Sequence, residues 1–329
     1  MTTPVEERAN ADHKDCRTAF GLALSIDPRI SIPGLGQSAG LVSAGPPSRI
    51  RLDEGELHRR WDALTTTPVR AREHRFGETL LLSVDFAEPA GYLLWAQDFG
   101  RVLISPDGTE LLCEPDPANE DWPNILAAQA LPLAATVRGL EVFHASGVVL
   151  NGRALLFAGP AGAGKSSLAA AFVRTGAQLL SDDAVALELD EDKLVAHAGS
   201  VVLQLRDAED QQLSADGRAA LGSRARSSEG KQRYVRDNVP GPVPLGSLFL
   251  LERSAEEPAV ERLEAVDPFE LIASTFNLSV RTPARLRHQL NIVSTIASNG
   301  LAHRLRVQPD VDATRLAAIV QAQLGVPIT

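Results

Sequence analysis

Gly159-Pro160-Ala161-Gly162-Ala163-Gly164-Lys165-Ser166 matches the pattern G-x-x-x-x-G-K-[ST], and its flanks complete it. Ala154-Leu155-Leu156-Phe157-Ala158 before it is apolar and of strand length. Ser167-Leu168-Ala169-Ala170-Ala171-Phe172-Val173-Arg174 after it is rich in helix formers. In a strand–loop–helix setting, glycines let successive backbone N–H groups turn inward around phosphate oxygens. The positive end of the helix adds to that field. Lys165 is spaced to reach the β- and γ-phosphates, and the Ser166 hydroxyl to ligate Mg²⁺. Gly159, Ala161, Gly162, Ala163, Gly164, Lys165, Ser166 and Ser167 are therefore the expected nucleotide contacts, with ATP and Mg²⁺ as the expected ligands. The competing reading is a glycine-rich turn that binds nothing.

Upstream, Ser146-Gly147-Val148-Val149-Leu150, the turn Asn151-Gly152 and the strand Arg153 to Ala158 read as a hairpin feeding this loop, since Asn-Gly between β-rich runs is a strong hairpin signal. His144 just precedes the hairpin. A lone histidine beside apolar residues is commonly a packing residue. Here the hairpin returns its base toward the loop, which also fits an active-site position. Downstream, Gln178-Leu179-Leu180-Ser181 reads as a strand that ends at Asp182-Asp183. Paired carboxylates at such a strand end can divide two tasks, one holding Mg²⁺ and the other taking a proton from an attacking hydroxyl. They can also merely cap a turn. Lysine is scarce (Lys14, Lys165, Lys193 and Lys231). Lys231 and Arg233 suit a phosphate clamp as well as they suit a plain surface.

Composition narrows the class. The chain has 329 residues, 44% hydrophobic and 22% charged, which points to a soluble globular protein of two domains. A net charge of -10 argues against nonspecific nucleic-acid binding, because counterion release needs a basic face. Cys16 and Cys113 stand alone, without metal or redox spacing. The N-terminus does not read as a secretory signal, and no apolar run is long enough to span a bilayer, so a cytoplasmic location without membrane partners is expected.

The chain divides into a polar segment at 1–15 expected to be disordered, a small β-rich domain at 16–123 and a loop-bearing domain at 124–329. In the β-rich part, Phe20–Leu24, Thr79–Val84, Gly91–Trp95 and Arg101–Ser105 read as strands, with His58 and His74 as surface or packing residues. Ile125–Val137 reads as a helix kinked at Pro132. Ala184–Leu189, Leu194–His197, Val201–Leu205, Leu248–Leu251 and Val260–Leu263 read as strands. Arg206–Gly230 is expected to be part helix and part mobile loop. Pro268–Phe276, Ala284–Ala297 and Ala313–Leu324 read as helices, the last two separated by the strand Ala302–Val307.

Together, His144, the hairpin, Gly159–Ser166 and the segment Arg174-Thr175-Gly176-Ala177-Gln178-Leu179-Leu180-Ser181-Asp182-Asp183 resemble HPr serine kinase/phosphorylase, whose catalytic domain is related to phosphoenolpyruvate carboxykinase. The close resemblance covers residues 141–189, and a looser one runs on to the end. The N-terminal region, with Phe20-Gly21-Leu22 and Ile32-Pro33, looks like the leader domain of HPr-kinase-related proteins of bacterial biosynthetic clusters. The resemblance implies an α/β fold, a P-loop kinase domain of the HPr kinase/phosphoenolpyruvate carboxykinase type with an N-terminal β-rich domain. It implies catalytic roles for Asp183 as base, Lys165 on phosphate and His144 in positioning phosphate, with Ser166 and Asp182 on the metal. This sequence departs from the family in two places. Ala145 follows the histidine where the family has glycine. The family's proline-Arg-Gly-Arg-Asn signature has no counterpart, the nearest stretch being Asn238-Val239-Pro240-Gly241-Pro242-Val243-Pro244. Both departures weaken HPr as the implied substrate and weaken the phosphorylase reaction; what the resemblance still implies is ATP-dependent phosphorylation of a hydroxyl.

The expected activity is ATP-dependent phosphorylation of a hydroxyl, on Ser or Thr in a peptide or protein or on a small metabolite. The alternatives are a nucleotide-dependent regulatory or binding module without transfer, and a carboxykinase-like site using pyrophosphate or another donor. A homo-oligomer is compatible with the family.

Overall fold

Short apolar stretches broken by glycine and aspartate turns bury little surface singly, so they pair into sheets. The computed structural model describes residues 17–37, 45–228, 230–236, 241–276 and 279–325. The segment 1–15, Cys16 and Asn238-Val239-Pro240 lie outside the described residues. Strands β1 (Arg17–Ala19), β2 (Leu22–Ile26), β3 (Gly36–Gln37), β4 (Ser48–Leu52), β5 (Val69–Phe76), β6 (Thr79–Ala87), β7 (Gly91–Ala96), β8 (Gly100–Ile104) and β9 (Glu110–Pro115) form one sheet, in the order β3-β1-β2-β4-β9-β8-β7-β6-β5. Helix α1 (Glu56–Asp62) lies between β4 and β5 in the chain.

Phe20–Leu24, expected as one strand, is instead split. Phe20 (φ 53°) and Gly21 (φ 77°) form a two-residue turn that sets Ala19 opposite Leu22. Two consecutive positive φ values match the twist of a tight hairpin, and glycine supplies the second without steric cost.

The chain then passes through a π-helical turn, Leu126–Ala130, directly into helix α2 (Leu131–Val137). Pro132 sits in the first turn of α2, where its missing N–H is tolerated, and the irregular turn lies just ahead of it. Leu126, Leu131 and Ala134 share one core with Leu24, Ile50, Leu94 and Ile104 of the first sheet and with Val142 and Ala186 beyond it. The two sheets are joined by buried apolar surface as well as by the chain.

The second sheet comprises β10 (Glu141–Phe143), β11 (Ala145–Leu150), β12 (Arg153–Ala158), β13 (Gln178–Ser181), β14 (Val185–Asp190), β15 (Lys193–His197), β19 (Val243–Arg253), β20 (Val260–Arg262) and β21 (Ala302–Val307). Its order is β10-β14-β15-β19-β12-β11-β13, with β21 alongside β19 and β20. Helix α3 (Lys165–Arg174) follows β12. A separate three-stranded sheet holds β16 (Val202–Arg206), β18 (Lys231–Val235) and β17 (Ser223–Ser228), with helices α4 (Asp207–Gln211) and α5 (Ala215–Leu221) between β16 and β17. Helices α6 (Pro268–Ala273), α7 (Pro283–Ser298) and α8 (Ala313–Gln323) close the fold. Among the described residues, no helix is long and apolar enough to cross a membrane.

The described part of Arg206–Gly230 is therefore ordered into helices and a strand, where a mobile loop was expected in part. Ser223–Ser228 shows no apolar alternation. Its extended form follows from pairing with β18, whose Tyr234 is buried among Leu203, Leu205 and Leu221 and donates its hydroxyl to Asp210.

Strand directions gather the functional residues. β11 is antiparallel to both β12 and β13, so β12 and β13 run the same way. β19 is parallel to β12. The loop after β12, the aspartates after β13, the entry to β11 and the end of β19 all meet at one sheet edge.

One buried ion pair ties this sheet to α7. Glu141, fully buried on β10, accepts from Arg285 Nη2 at 2.7 Å and from Gln289 Nε2 at 3.2 Å. Burial pushes the Glu141 carboxyl up to about 7, against the pull of Arg285. The desolvation penalty thus outweighs the attraction, as is common for buried pairs. A carboxyl raised in the fold gives stability that is fully present below its unfolded value and is lost as pH rises through about 7. Glu141→Ala leaves a buried guanidinium without this carboxylate, and we expect a loss of about 3–5 kcal/mol in urea denaturation. Glu141→Leu combined with Arg285→Met should recover most of it, and Glu141→Gln should flatten the pH slope.

Candidate functional site

Loop Gly159–Gly164 leaves β12 and enters α3 through Gly164, which has φ 98° at the helix N-cap. A side chain at that φ is strained, so glycine is what lets the chain turn sharply onto the helix. Pro160, Ala161 and Gly162 are exposed, whereas Ala163 and Lys165 are buried. The Lys165 ammonium curls back into the loop, donating to the Gly159 carbonyl at 2.8 Å and the Pro160 carbonyl at 3.3 Å. Burial lowers its pKa, and the charges of Asp183 and Asp182 oppose that shift.

Asp182 is the polar centre of the edge. Its Oδ1 accepts from Ser146 Oγ at 2.5 Å, from Ser166 Oγ at 2.8 Å and from the Asp183 N–H at 3.2 Å. Its Oδ2 accepts from the Gln204 N–H at 3.0 Å. The side chain is nearly closed off from solvent. Burial and the neighbouring Asp183 charge push its pKa above the usual carboxylate range, against the pull of those donors.

Asp183 has a φ of 71°, uncommon for a residue other than glycine. Its carboxylate is half-buried and, among the described residues, takes no hydrogen bond. Its backbone carbonyl faces His144 Nδ1 at 3.0 Å. A carbonyl only accepts, so Nδ1 carries the proton and Nε2 presents a lone pair. Burial, then the Lys165 charge, lowers the His144 pKa, which keeps the ring neutral at pH 7. His144 reaches this place because Ala145 pairs with Ala158 at the hairpin base, one residue before Gly159.

The structure thus brings together His144, Lys165, Ser166, Asp182, Asp183 and the loop. It does not bring Arg233 to the loop. That guanidinium bonds Asn124 Oδ1 at 2.7 Å. Lys231 is exposed and lies across the strand pair from Arg206. The Ser167 hydroxyl donates to Glu209 Oε1 at 2.7 Å.

Sequence reasoning missed Ser146, Gln204, Arg206 and Arg253. A Cβ placed on Gly162 would lie 3.2 Å from Arg206 Nη2 and 3.6 Å from Arg253 Nη2, so two exposed guanidiniums overhang the loop. Arg253 also donates to the Gly162 carbonyl. The signal for Ser146 was legible, because a hydroxyl in an otherwise apolar strand needs a buried acceptor. The arginines reach the loop through the ends of β16 and β19, and spacing along the chain does not encode that.

Two groups can be tested for fit. Ser166 Oγ and Asp182 Oδ1 are adjacent hard oxygen atoms of the kind Mg²⁺ prefers, and Mg²⁺ needs only one or two carboxylates when phosphates and water complete its shell. Among the described residues there is no cluster of three or more His, Cys, Asp or Glu able to hold a metal ion by itself. The loop, with its buried cation and exposed rim, fits a polyphosphate.

No protein-family profile matches the chain, and no curated protein sequence matches it. Among solved structures, the chain is similar to the Hpr(Ser) kinase/phosphatase from Coxiella burnetii at 13% identity and a TM-score of 0.30, over 56% of this chain and 90% of that one. A likeness of that strength fixes neither family nor activity. The chemistry is read from this chain's own residues.

Ser146→Ala removes a donor from a buried carboxylate. We expect it to cost about 1–3 kcal/mol in urea denaturation. It should also move Asp182 further up, because the lost bond favoured the charged form; carboxyl NMR titration checks this.

Proposed function

We propose that this chain is an ATP-dependent phosphotransferase with an alcohol acceptor, built on a P-loop domain of the HPr kinase/phosphoenolpyruvate carboxykinase type. The observation that carries this reading is the division of labour between adjacent aspartates. Asp182 is saturated by donors, Ser166 among them, whereas Asp183 presents an unbonded carboxylate beside Lys165. A site that only bound nucleotide would have no use for the second carboxylate.

Bound ATP with Mg²⁺ would supply the electrophilic phosphoryl group and neutralise its charge. Lys165 would exchange the Gly159 and Pro160 carbonyls for phosphate oxygens. Ser166 and Asp182 would hold the cation, with Ser146 and the Gln204 N–H keeping the carboxylate in place. Asp183, with its unbonded carboxylate, would accept the proton of the acceptor hydroxyl. His144 would fix the Asp183 backbone through Nδ1–H and face the reacting groups as a neutral ring. Such catalysis is mostly positioning and electrostatics, which these residues suffice to provide. The acceptor is a hydroxyl on a peptide, a protein or a small metabolite.

Transfer from γ-labelled ATP with Mg²⁺ to a panel of seryl peptides and small hydroxylated compounds tests the reading. Asp183→Asn should lower turnover by about 10²–10⁴-fold while nucleotide affinity holds, and Lys165→Met should weaken nucleotide binding itself. Undiminished turnover by Asp183→Asn removes the base assignment. Nucleotide binding without transfer by the wild type leaves a regulatory module. Mg²⁺ affinity should also fall as pH drops into the acid range, because Asp182, already raised, takes up a proton and ceases to be a ligand.

A further inference from the structure

Most arginines on or beside the first sheet that approach the protein interior pair with a carboxylate, and the half-buried Arg72, among the described residues, does not. Arg51 pairs with Glu56 and Glu110, Arg60 with Glu56 and Glu110, and Arg101 with Glu114. On β5 itself, Arg70 pairs with Asp85 and Glu73, and Arg75 with Glu73. Arg72 has no carboxylate within ion-pair distance among the described residues, although it is the one of β5's three arginines drawn well into the protein. Burial lowers its pKa with no opposing charge. An uncompensated half-buried cation is costly, and folds rarely keep one without a counter-charge.

Its surroundings show where a counter-charge would arrive. A register shift in the β5–β6 pairing falls between Arg70 and Arg72, the kind of irregularity that re-aims a side chain. The guanidinium lies 5.7 Å from the centroid of Phe276 and reaches Gln129 Oε1 at 3.4 Å, the outer limit of a hydrogen bond. Phe276 in turn lies 6.1 Å from the His144 ring, and the Arg72 charge is felt at His144. The chain from Arg72 through Phe276 to His144 and the Asp183 carbonyl runs from the first sheet to the proposed reaction centre. It ends on the Asp183 carbonyl, whereas Arg206 and Arg253 overhang the glycine loop. A cation on the Asp183 side suits the acceptor better than the nucleotide.

Resting on the phosphotransfer reading above, we propose that Arg72 binds an oxyanion, a carboxylate or phosphate ester carried by the acceptor near its reacting hydroxyl, so that the first sheet selects an anionic substrate. A planar guanidinium braced on an aromatic face takes such groups in bidentate fashion, and lysine does not reproduce that geometry.

The test uses the full chain and two probes, inorganic phosphate and succinate, followed by NMR of the Arg72 Nε–H and the His144 ring. The Lys165→Met background suppresses phosphate binding at the loop. In that background either probe should give saturable shifts at both reporters. Adding Arg72→Gln should weaken binding by about tenfold or more, with Arg72→Lys intermediate. Which probe binds more tightly distinguishes phosphate ester from carboxylate. Equal affinity with and without Arg72, or no saturable shift from either probe, overturns the proposal. Should Arg72→Gln fail to fold, the Arg72→Lys comparison decides by the same criterion. Titration of the wild type with ADP and Mg²⁺ is a separate arm. Failure to bind there removes the nucleotide reading, and a positive probe result would then describe an anion site without phosphotransfer.

Discussion

The Asp182 carboxylate holds the edge together. Donors converge on it from β11 through Ser146, from the first turn of α3 through Ser166, from β16 through the Gln204 N–H and from its own neighbour's backbone. Three separately formed pieces of structure are thereby fixed relative to one buried charge. The donors offset part of the cost of burying this charge; with fewer of them, the same carboxylate would be pushed further toward protonation. The loop, the strand of aspartates and the small sheet are consequently one unit.

Around that unit, the fold uses strand direction to do what sequence proximity does not. Reversing the chain at Asn151-Gly152 puts His144 beside Gly159, although fifteen residues separate them by number, and aligning β13 with β12 brings the aspartates to the same edge. The first sheet meets the second across the core that contains Leu126, Leu131 and Val142, and this contact places β5 where Arg72 can face Phe276. A β-rich region that reads as inert by composition therefore contributes a charged side chain close to His144.

Much of this was legible in the sequence, and the division between what was and what was not has a physical cause. The loop, the hairpin and the strand ending at Asp182 are local: a glycine at a required φ, an Asn-Gly turn and an apolar run each declare themselves within a few residues. Mixed α/β architecture with several sheets follows from the same signals. Phe20–Leu24 misled because its alternation continues through a turn that only paired positive φ values reveal. Ser223–Ser228 misled because its extended form is imposed by β18. Arg206, Arg253 and Arg72 were invisible for a third reason: each acts across a contact between elements distant in the chain, and an arginine carries the same letter on an idle surface as over a phosphate site. Arg233 and Lys231 drew attention through their setting in a basic stretch, and pairing within the small sheet directs Arg233 to Asn124.

The posture of Lys165 has one more implication. Its ammonium is held by two carbonyls of its own loop, so the glycine loop is kept in shape by an internal cation before anything else arrives. An incoming anion would compete with backbone oxygens for a charge already in residence, and entry would be a substitution at the ammonium, with little rearrangement of the chain. If the loop takes phosphates as proposed, its occupancy would depend on how strongly a ligand outbids two amide carbonyls, which weak anions such as chloride do poorly and multiply charged phosphates do well. On the phosphotransfer reading, such a loop would sort anions by charge density before shape.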